Sequence, residues 1–524
     1  MPESEEPSLN RRIFLAGGLS LAGASLLSGS PATEGIGATG GLDFASALDV
    51  AEAIGKRQVS SLEITRRMLE RIDRHNPGLT AFVNVLREPA LARAREADAA
   101  LARGDRWGAL HGVPVAVKDS FEIAGVPTTA GAEFLAKHVP ARDSDAVARL
   151  RAAGGIILGN TNVPFMLADW QSFNPIYGTT NNPWDTSRTP GGSSGGSAAA
   201  LAAGLAYLAL GSDIGGSIRV PAHFSGVYGH KPTLNVVSQR GHIPPPPGTP
   251  PQPPTDLPVG GPMARSARDL EAAMAILGGP EAEDAVAYKW TLPAPRHARL
   301  QDFRLGFVLD DPLCRLASDV KPVLAVAIDG LRKAGVRLDE GWPPGVDARE
   351  QYETYRYLLA AFFAFDLKDE EIDKVRARAA RLDGGMDALE ARAVVEPHKH
   401  FQAASSRRMV ARARWQEYFR SHDAFLMPTS FTAAFPHDHS TPLEKRRVPT
   451  AEGDRPYGDQ LFWISFATLT GLPATTAPVG LTRGGLPVGM QILGPYLEDA
   501  TSIRVAAGMA EVLGGFRPPP GYVG

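Results

Sequence analysis

The stretch at 189–204, TPGGSSGGSAAALAAG, sets three serines among glycines directly before a run of alanines. A serine hydroxyl becomes a strong nucleophile only beside a base. The first question is therefore whether this cluster is a flexible linker or a rigid loop that holds such a group. A linker is flanked by segments that stop and start independently. Here the alanines begin a good helix at once and lead into the strand-like LAYLALGSD. The glycines fall at a loop-to-helix junction, where unpaired backbone N–H groups and the helix dipole favour negative charge, a place for catalysis or anion binding.

Two known patterns fail in context. GGSSG at 191–195 fits the G-x-S-x-G elbow, which needs a strand immediately before it, whereas the preceding TTNNPWDTSRTP is a turn-rich loop. A phosphate-cradling loop needs a lysine after its glycines, and none follows. Two other segments carry candidate groups: GVPVAVKDS, with Lys118, and GSDIGGSIRVPA, with Ser217. Lys118 ends an apolar run, so it is either an ordinary strand-end lysine or a buried base. None of the twelve histidines lies in these segments. The single cysteine, Cys314, excludes an internal disulfide framework. No Cys/His cluster has metal-ligand spacing, so the reading calls for no metal and no cofactor.

The elements that must position these groups alternate between helices and buried strands. DFASALDVAEAIGKRQVSSLEITRRMLERIDRHNP reads as two helices, the second opened by a capping box of Ser60 and Glu63 and stopped before Pro77. Residues 80–104 continue as a helical, Ala- and Arg-rich segment. GVPVAVKD and GGIILGNTNV read as strands buried on both faces. Apolar residues at helical spacing (Tyr355, Leu358, Phe362, Phe365) predict a core-packed helix over 350–367. A further helix through 407–419, a strand at AFLMPTS and two strands joined at Arg483-Gly484-Gly485 follow. The pattern predicts an α/β fold with helices on both faces of a central sheet. Residues 43–524 form one domain in this reading. The insertion IPPPPGTPPQPPTDLP at 243–258 must be a surface loop, because its prolines can neither join a ladder nor sit inside a helix.

With 54 basic and 57 acidic residues the formal charge is −3, which lacks the signature of a nucleic-acid binder or a basic membrane-surface protein. A small, neutral or weakly charged substrate suits this balance. At the N-terminus Arg11 and Arg12 precede an apolar run from Ile13 to Leu27, too short for a stable membrane span, and then small residues. Residues 1–38 resemble a twin-arginine export signal cleaved between about Ala32 and Ala38, which predicts a periplasmic or extracellular protein.

Taken together, GVPVAVKDS, TPGGSSGGSAAALAAG, GSDIGGSIRVPA, GHKPT, GPMARS and GLPVGMQILG resemble the amidase signature family of serine hydrolases, from about Ala47 to near the C-terminus. The resemblance implies a large mixed twisted sheet between helical layers. It also implies a triad in which Ser217 is the nucleophile and Ser193, entered by a cis peptide bond, bridges it to Lys118. Elementary chemistry agrees: burial lowers a lysine's pKa and makes it a base, and Gly192 tolerates an unusual backbone better than any residue with a side chain. An oxyanion would be held by the N–H groups of Ile214, Gly215, Gly216 and Ser217. Ser194, Asp213 and Arg219 are expected supports, with Asp213 accepting from loop amides and Arg219 pairing with a carboxylate.

Many members of that family carry a glutamate shortly after the TN motif, whereas this chain reads TNVPFMLADWQSFN. Met166, Leu167, Asp169 and Trp170 become candidates for an apolar, aromatic-tolerant substrate pocket, with core packing an equal reading for Met166 and Leu167. The expected activity is hydrolysis of aryl or other hydrophobic carboxylic amides through a serine acyl-enzyme. Alternatives are an ester or carbamate hydrolase, an amidotransferase subunit (disfavoured by the export signal, since tRNA charging is cytosolic) and an inactive binding protein on the same scaffold. The partner is a small-molecule amide, without nucleic acid, and homodimer formation is left open.

Overall fold

The computed structural model describes residues 41–249, 256–364 and 367–523. Residues 1–40, on which the expected export signal falls, the middle of the proline-rich loop and Phe365 lie outside them. Eleven strands form one sheet. Its order is Phe82–Val85, Ile156–Thr161, Pro114–Lys118, Leu208–Asp213, Val259–Ala264, Tyr228–Lys231, Ala474–Leu481, Pro487–Leu493, Ala424–Pro428, Arg304–Phe307 and Arg337–Glu340. Pro114–Lys118 runs parallel to both of its neighbours, while the centre, from Leu208–Asp213 to Pro487–Leu493, is antiparallel. The sheet is therefore mixed, as the family resemblance implies.

Three strands, Pro114–Lys118, Ile156–Thr161 and Leu208–Asp213, are buried at every residue. That explains why their sequences read as unbroken apolar or small runs rather than alternating ones. The helix Gly195–Ala202 packs on all three and is itself wholly buried. Helices cover both faces. On Ala474–Leu481, Thr475 bonds Ser502 of the helix Asp499–Leu513, whereas its neighbour Thr476 lies with His223, of the helix Arg219–Ser225, around the space a side chain at Gly489 would fill. Successive strand residues point to opposite faces. No described helix is long and apolar enough to cross a membrane.

Two sequence expectations need correction. The helix opened by Ser60 and Glu63, whose capping box is formed, runs through Pro77 to Leu79. A proline this near the end removes one helical bond only. The exit is fixed instead by left-handed Thr80 and by the Asn76 side chain, which bonds both the N–H and the carbonyl of Phe82. Next, 80–104 is not continuously helical: Phe82–Val85 is an edge strand antiparallel to Ile156–Thr161, and the helix is Arg87–Ala102. The short FVNV run carries that signal, but the neighbouring Ala-rich periodicity masks it.

Candidate active site

Every residue from Thr189 to Ala202 is buried, so the Gly/Ser cluster is a packed loop and not a linker. The first N–H groups of the helix Gly195–Ala202 are already used, Gly195 donating to Ser172 Oγ (3.0 Å) and Gly196 to the Asn162 carbonyl (3.2 Å). The anion-binding reading of this helix end therefore fails. The Gly192–Ser193 peptide is cis. Glycine is needed at 192 because of a close approach: a Cβ there would lie 2.4 Å from the Asp169 carbonyl oxygen and 2.7 Å from the Trp170 carbonyl carbon.

Lys118 ends its strand fully buried, and its Nζ donates to Ser193 Oγ at 2.6 Å and to Ser212 Oγ at 3.0 Å. Burial drives its pKa well below the usual lysine value, against a weaker upward pull from Asp213. Ser217 lies in the turn between Leu208–Asp213 and the helix Arg219–Ser225, and it is 6% exposed. The Ser194 N–H donates to the Ser217 carbonyl at 3.1 Å, which sets the two serine-bearing loops edge to edge. Lys118 and Ser193 are thus joined directly. Among the described residues the Ser217 hydroxyl makes no hydrogen bond, so the bridge from Ser193 is not formed in this arrangement.

Asp213 and Arg219 are each other's partners. Burial opposes ionisation of Asp213, but the Arg219 guanidinium and the Ile218 N–H outweigh it and hold the carboxyl below its usual pKa. Arg219 donates to both carboxylate oxygens (2.7 and 3.0 Å) and to Ile464, Gln491 and Thr468. The Gly216 N–H donates to Asp213 Oδ1 at 3.0 Å, which withdraws Gly216 from the expected oxyanion set. The N–H groups of Ile214, Gly215 and Ser217 have no partner among the described residues. Arg219→Ala strands a buried carboxylate beneath this turn. It is expected to lower the unfolding free energy by about 3–5 kcal/mol, read as a fall in the denaturant midpoint.

The expected pocket residues divide. The Asp169 side chain is buried and bound to Arg446 and Tyr457, so it serves structure rather than a ligand. Trp170 is 9% exposed, and its Nε1 donates to the Gly215 carbonyl at 2.7 Å. Met166 and Leu167, both left-handed, pack on a small apolar cluster of Ala130, Ala132, Leu135 and Ile243, where Met166 N–H bonds Ala130. Ile243 begins the proline-rich loop, and its N–H bonds the Ser120 carbonyl, two residues past Lys118. The insertion is therefore anchored beside the site.

Sequence reasoning missed Ser212, Tyr355 and His242. Ser212 touches Lys118 through strand register, which no local pattern reveals. Tyr355, on the helix Ala348–Phe363, donates to the Ile214 carbonyl at 2.9 Å, where periodicity alone indicates core packing. His242 packs its ring edge-on to Phe121 at 4.7 Å. Burial, aided by Lys118, lowers its pKa to about 3 and keeps it neutral.

An α/β enzyme built around a buried lysine–serine pair and a glycine-rich turn is the class that this fold and site define. The Amidase family model matches residues 63–503, and the chain belongs to that family of amide-hydrolysing enzymes. It is 36% identical over 484 residues to a glutamyl-tRNA(Gln) amidotransferase subunit of Thermus thermophilus, covering 87% of this chain and 95% of that protein. The solved peptide amidase of Stenotrophomonas maltophilia is 28% identical with a TM-score of 0.70, covering 90% of this chain and 98% of that one. A bacterial aryl acylamidase, 23% identical with a TM-score of 0.73 over 92% and 98% of the two chains, shares the fold.

Proposed function

We propose that the protein hydrolyses neutral carboxylic amides through an acyl-enzyme on Ser217. The observation that carries this reading is the 2.6 Å bond between buried Lys118 and Ser193, one residue from the Ser194 N–H that bonds Ser217. Neutral Lys118 takes the Ser193 proton, Ser193 takes that of Ser217, and the Ser217 oxygen attacks the carbonyl carbon. The N–H groups of Ile214, Gly215 and Ser217 receive the oxyanion. As the C–N bond breaks, Ser193 returns a proton to the leaving amine, and water then clears the acyl group. The Asp169–Arg446 and Asp213–Arg219 pairs neutralise the buried charges around the site, which supports an uncharged substrate. Trp170, whose ring lies against the turn that carries Ser217, supports an apolar group on it, aryl amides included. The test is product release from a panel of primary amides, anilides, peptide amides, carbamates and esters, with Ser217→Ala beside it. No turnover by the wild type, together with no labelling of Ser217 by a serine-reactive probe, would overturn the reading in favour of an inactive scaffold.

A second reading is the amide-cleaving subunit of a transamidating enzyme. The identity to the Thermus thermophilus amidotransferase favours it more than the comparisons favour a preference for aryl amides. Export decides between the two, since a protein that leaves the cytosol cannot serve tRNA charging. Arg11→Lys with Arg12→Lys is expected to shift the protein from the periplasmic to the cytosolic fraction. Wild-type protein found only in the cytosol, releasing ammonia faster with a tRNA-bound acceptor, would establish the second reading.

A further inference from the structure

The turn that carries Ser217 contains two consecutive glycines, and Gly216 has φ +89°. Glycine peptides rotate easily because no side chain restricts them, yet an oxyanion donor is useful only if its N–H is aimed before the charge develops. The orientation must therefore be imposed from outside the turn. Two carbonyls receive it. Tyr355 Oη donates to the Ile214 carbonyl at 2.9 Å, and Trp170 Nε1 to the Gly215 carbonyl at 2.7 Å. Tyr355 is fully buried, and the two donors come from segments nearly 200 residues apart in the chain, 170 and 355.

In a trans peptide the carbonyl and the following N–H point in opposite directions. Holding the Ile214 carbonyl on the Tyr355 side thus turns the Gly215 N–H away from Tyr355. The next peptide is clamped at both ends, by Trp170 on the Gly215 carbonyl and by Asp213 on the Gly216 N–H. Gly215 N–H is left as a donor whose direction is set by the Tyr355 hydroxyl.

We propose that Tyr355, with Trp170 behind it, is a positioning residue for the oxyanion site, its hydroxyl holding the Ile214–Gly215 peptide so that the Gly215 N–H faces the reacting carbonyl. This rests on Ser217 being the nucleophile. The contribution is to the transition state: the substrate carbonyl binds with little charge, whereas the tetrahedral adduct draws on the donor fully.

The test compares wild type, Tyr355→Phe and Trp170→Phe on the best amide of the panel. Each is also titrated with a trifluoromethyl ketone, which adds to a serine to give a tetrahedral oxyanion. Removing one oxyanion donor outright costs about 10²- to 10³-fold in kcat. Loosening one is expected to cost roughly 10- to 100-fold, with KM little changed and ketone affinity falling by the same factor. Unchanged kcat in Tyr355→Phe overturns the proposal. So does a kcat loss without loss of ketone affinity, the signature of a purely structural tyrosine. Should Tyr355→Phe fail to fold, Tyr355→His, which keeps a ring but shortens the donor's reach, decides on the same criteria, because Trp170 holds only the following peptide. Ser217→Ala separates the two levels. If it is inert and unlabelled by the ketone while Tyr355→Phe matches wild type, only the positioning role falls; if it stays active, the nucleophile assignment falls and the proposal with it.

Discussion

Ser217→Ala is expected to lower kcat by roughly 10⁴- to 10⁶-fold, the loss seen when a serine hydrolase is deprived of its nucleophile. The substitution is well suited to reading chemistry alone. Its hydroxyl bonds nothing among the described residues, so removing it leaves no buried partner unsatisfied, and thermal stability should change little. Ser193→Ala differs: it takes away the 2.6 Å partner of a buried lysine and leaves Lys118 with Ser212. That variant should lose both activity and stability, because an orphaned buried donor carries its full desolvation cost. Turnover of the amide panel and probe labelling of residue 217 check the first variant. Retained turnover by purified Ser217→Ala, with contaminating amidase excluded by labelling, would remove Ser217 from the reaction.

The parts of the site legible in the sequence are those that one segment encodes by itself. The unbroken apolar run before Lys118 predicts a strand buried on both faces, and that burial is what lowers the lysine's pKa. The glycines flanking Ser193 mark a close backbone approach, although the reason at 192 is contact with the 169–171 backbone, which local sequence does not display. Asp213 and Arg219 are legible as supports, one accepting from loop amides and the other seeking a carboxylate, but that they pair with each other across the turn comes from the structure. What local sequence could not give is register and reach. Ser212 meets Lys118 because two parallel strands align, and Asp169 meets Arg446 across 277 residues. Trp170 and Tyr355 read as a pocket wall and a core aromatic because their apolar bodies dominate any periodicity argument. Their single polar atoms carry the information that matters at the turn.

Lys118→Met is expected to lower kcat by about 10²- to 10⁴-fold, the usual worth of a general base, and to remove one stability trend. In the wild type, kcat/KM should rise with pH through the lowered Lys118 pKa and then level off, because only the neutral amine can accept the Ser193 proton. The stability argument has a definite sign. Between the lowered folded pKa and the unfolded value of about 10.4, the unfolded chain binds a proton that the folded chain does not, so stability rises with pH across that window and is lost as pH falls. Buried Lys231, lowered to about 7, acts in the same direction. Asp119, raised to about 7 by burial against bonds from Thr129 and Asn160, acts oppositely below neutrality, where the folded state holds the extra proton. The difference between wild type and Lys118→Met cancels both of these neighbours. Methionine fills the same space without a buried amine to desolvate, so the variant should be the more stable protein at neutral pH, with the gap closing toward about pH 10. A gap that stays constant with pH would mean that Lys118 keeps its proton in the folded state. The lysine would then be a charged hydrogen-bond donor to Ser193, and the base for Ser217 would have to be sought elsewhere.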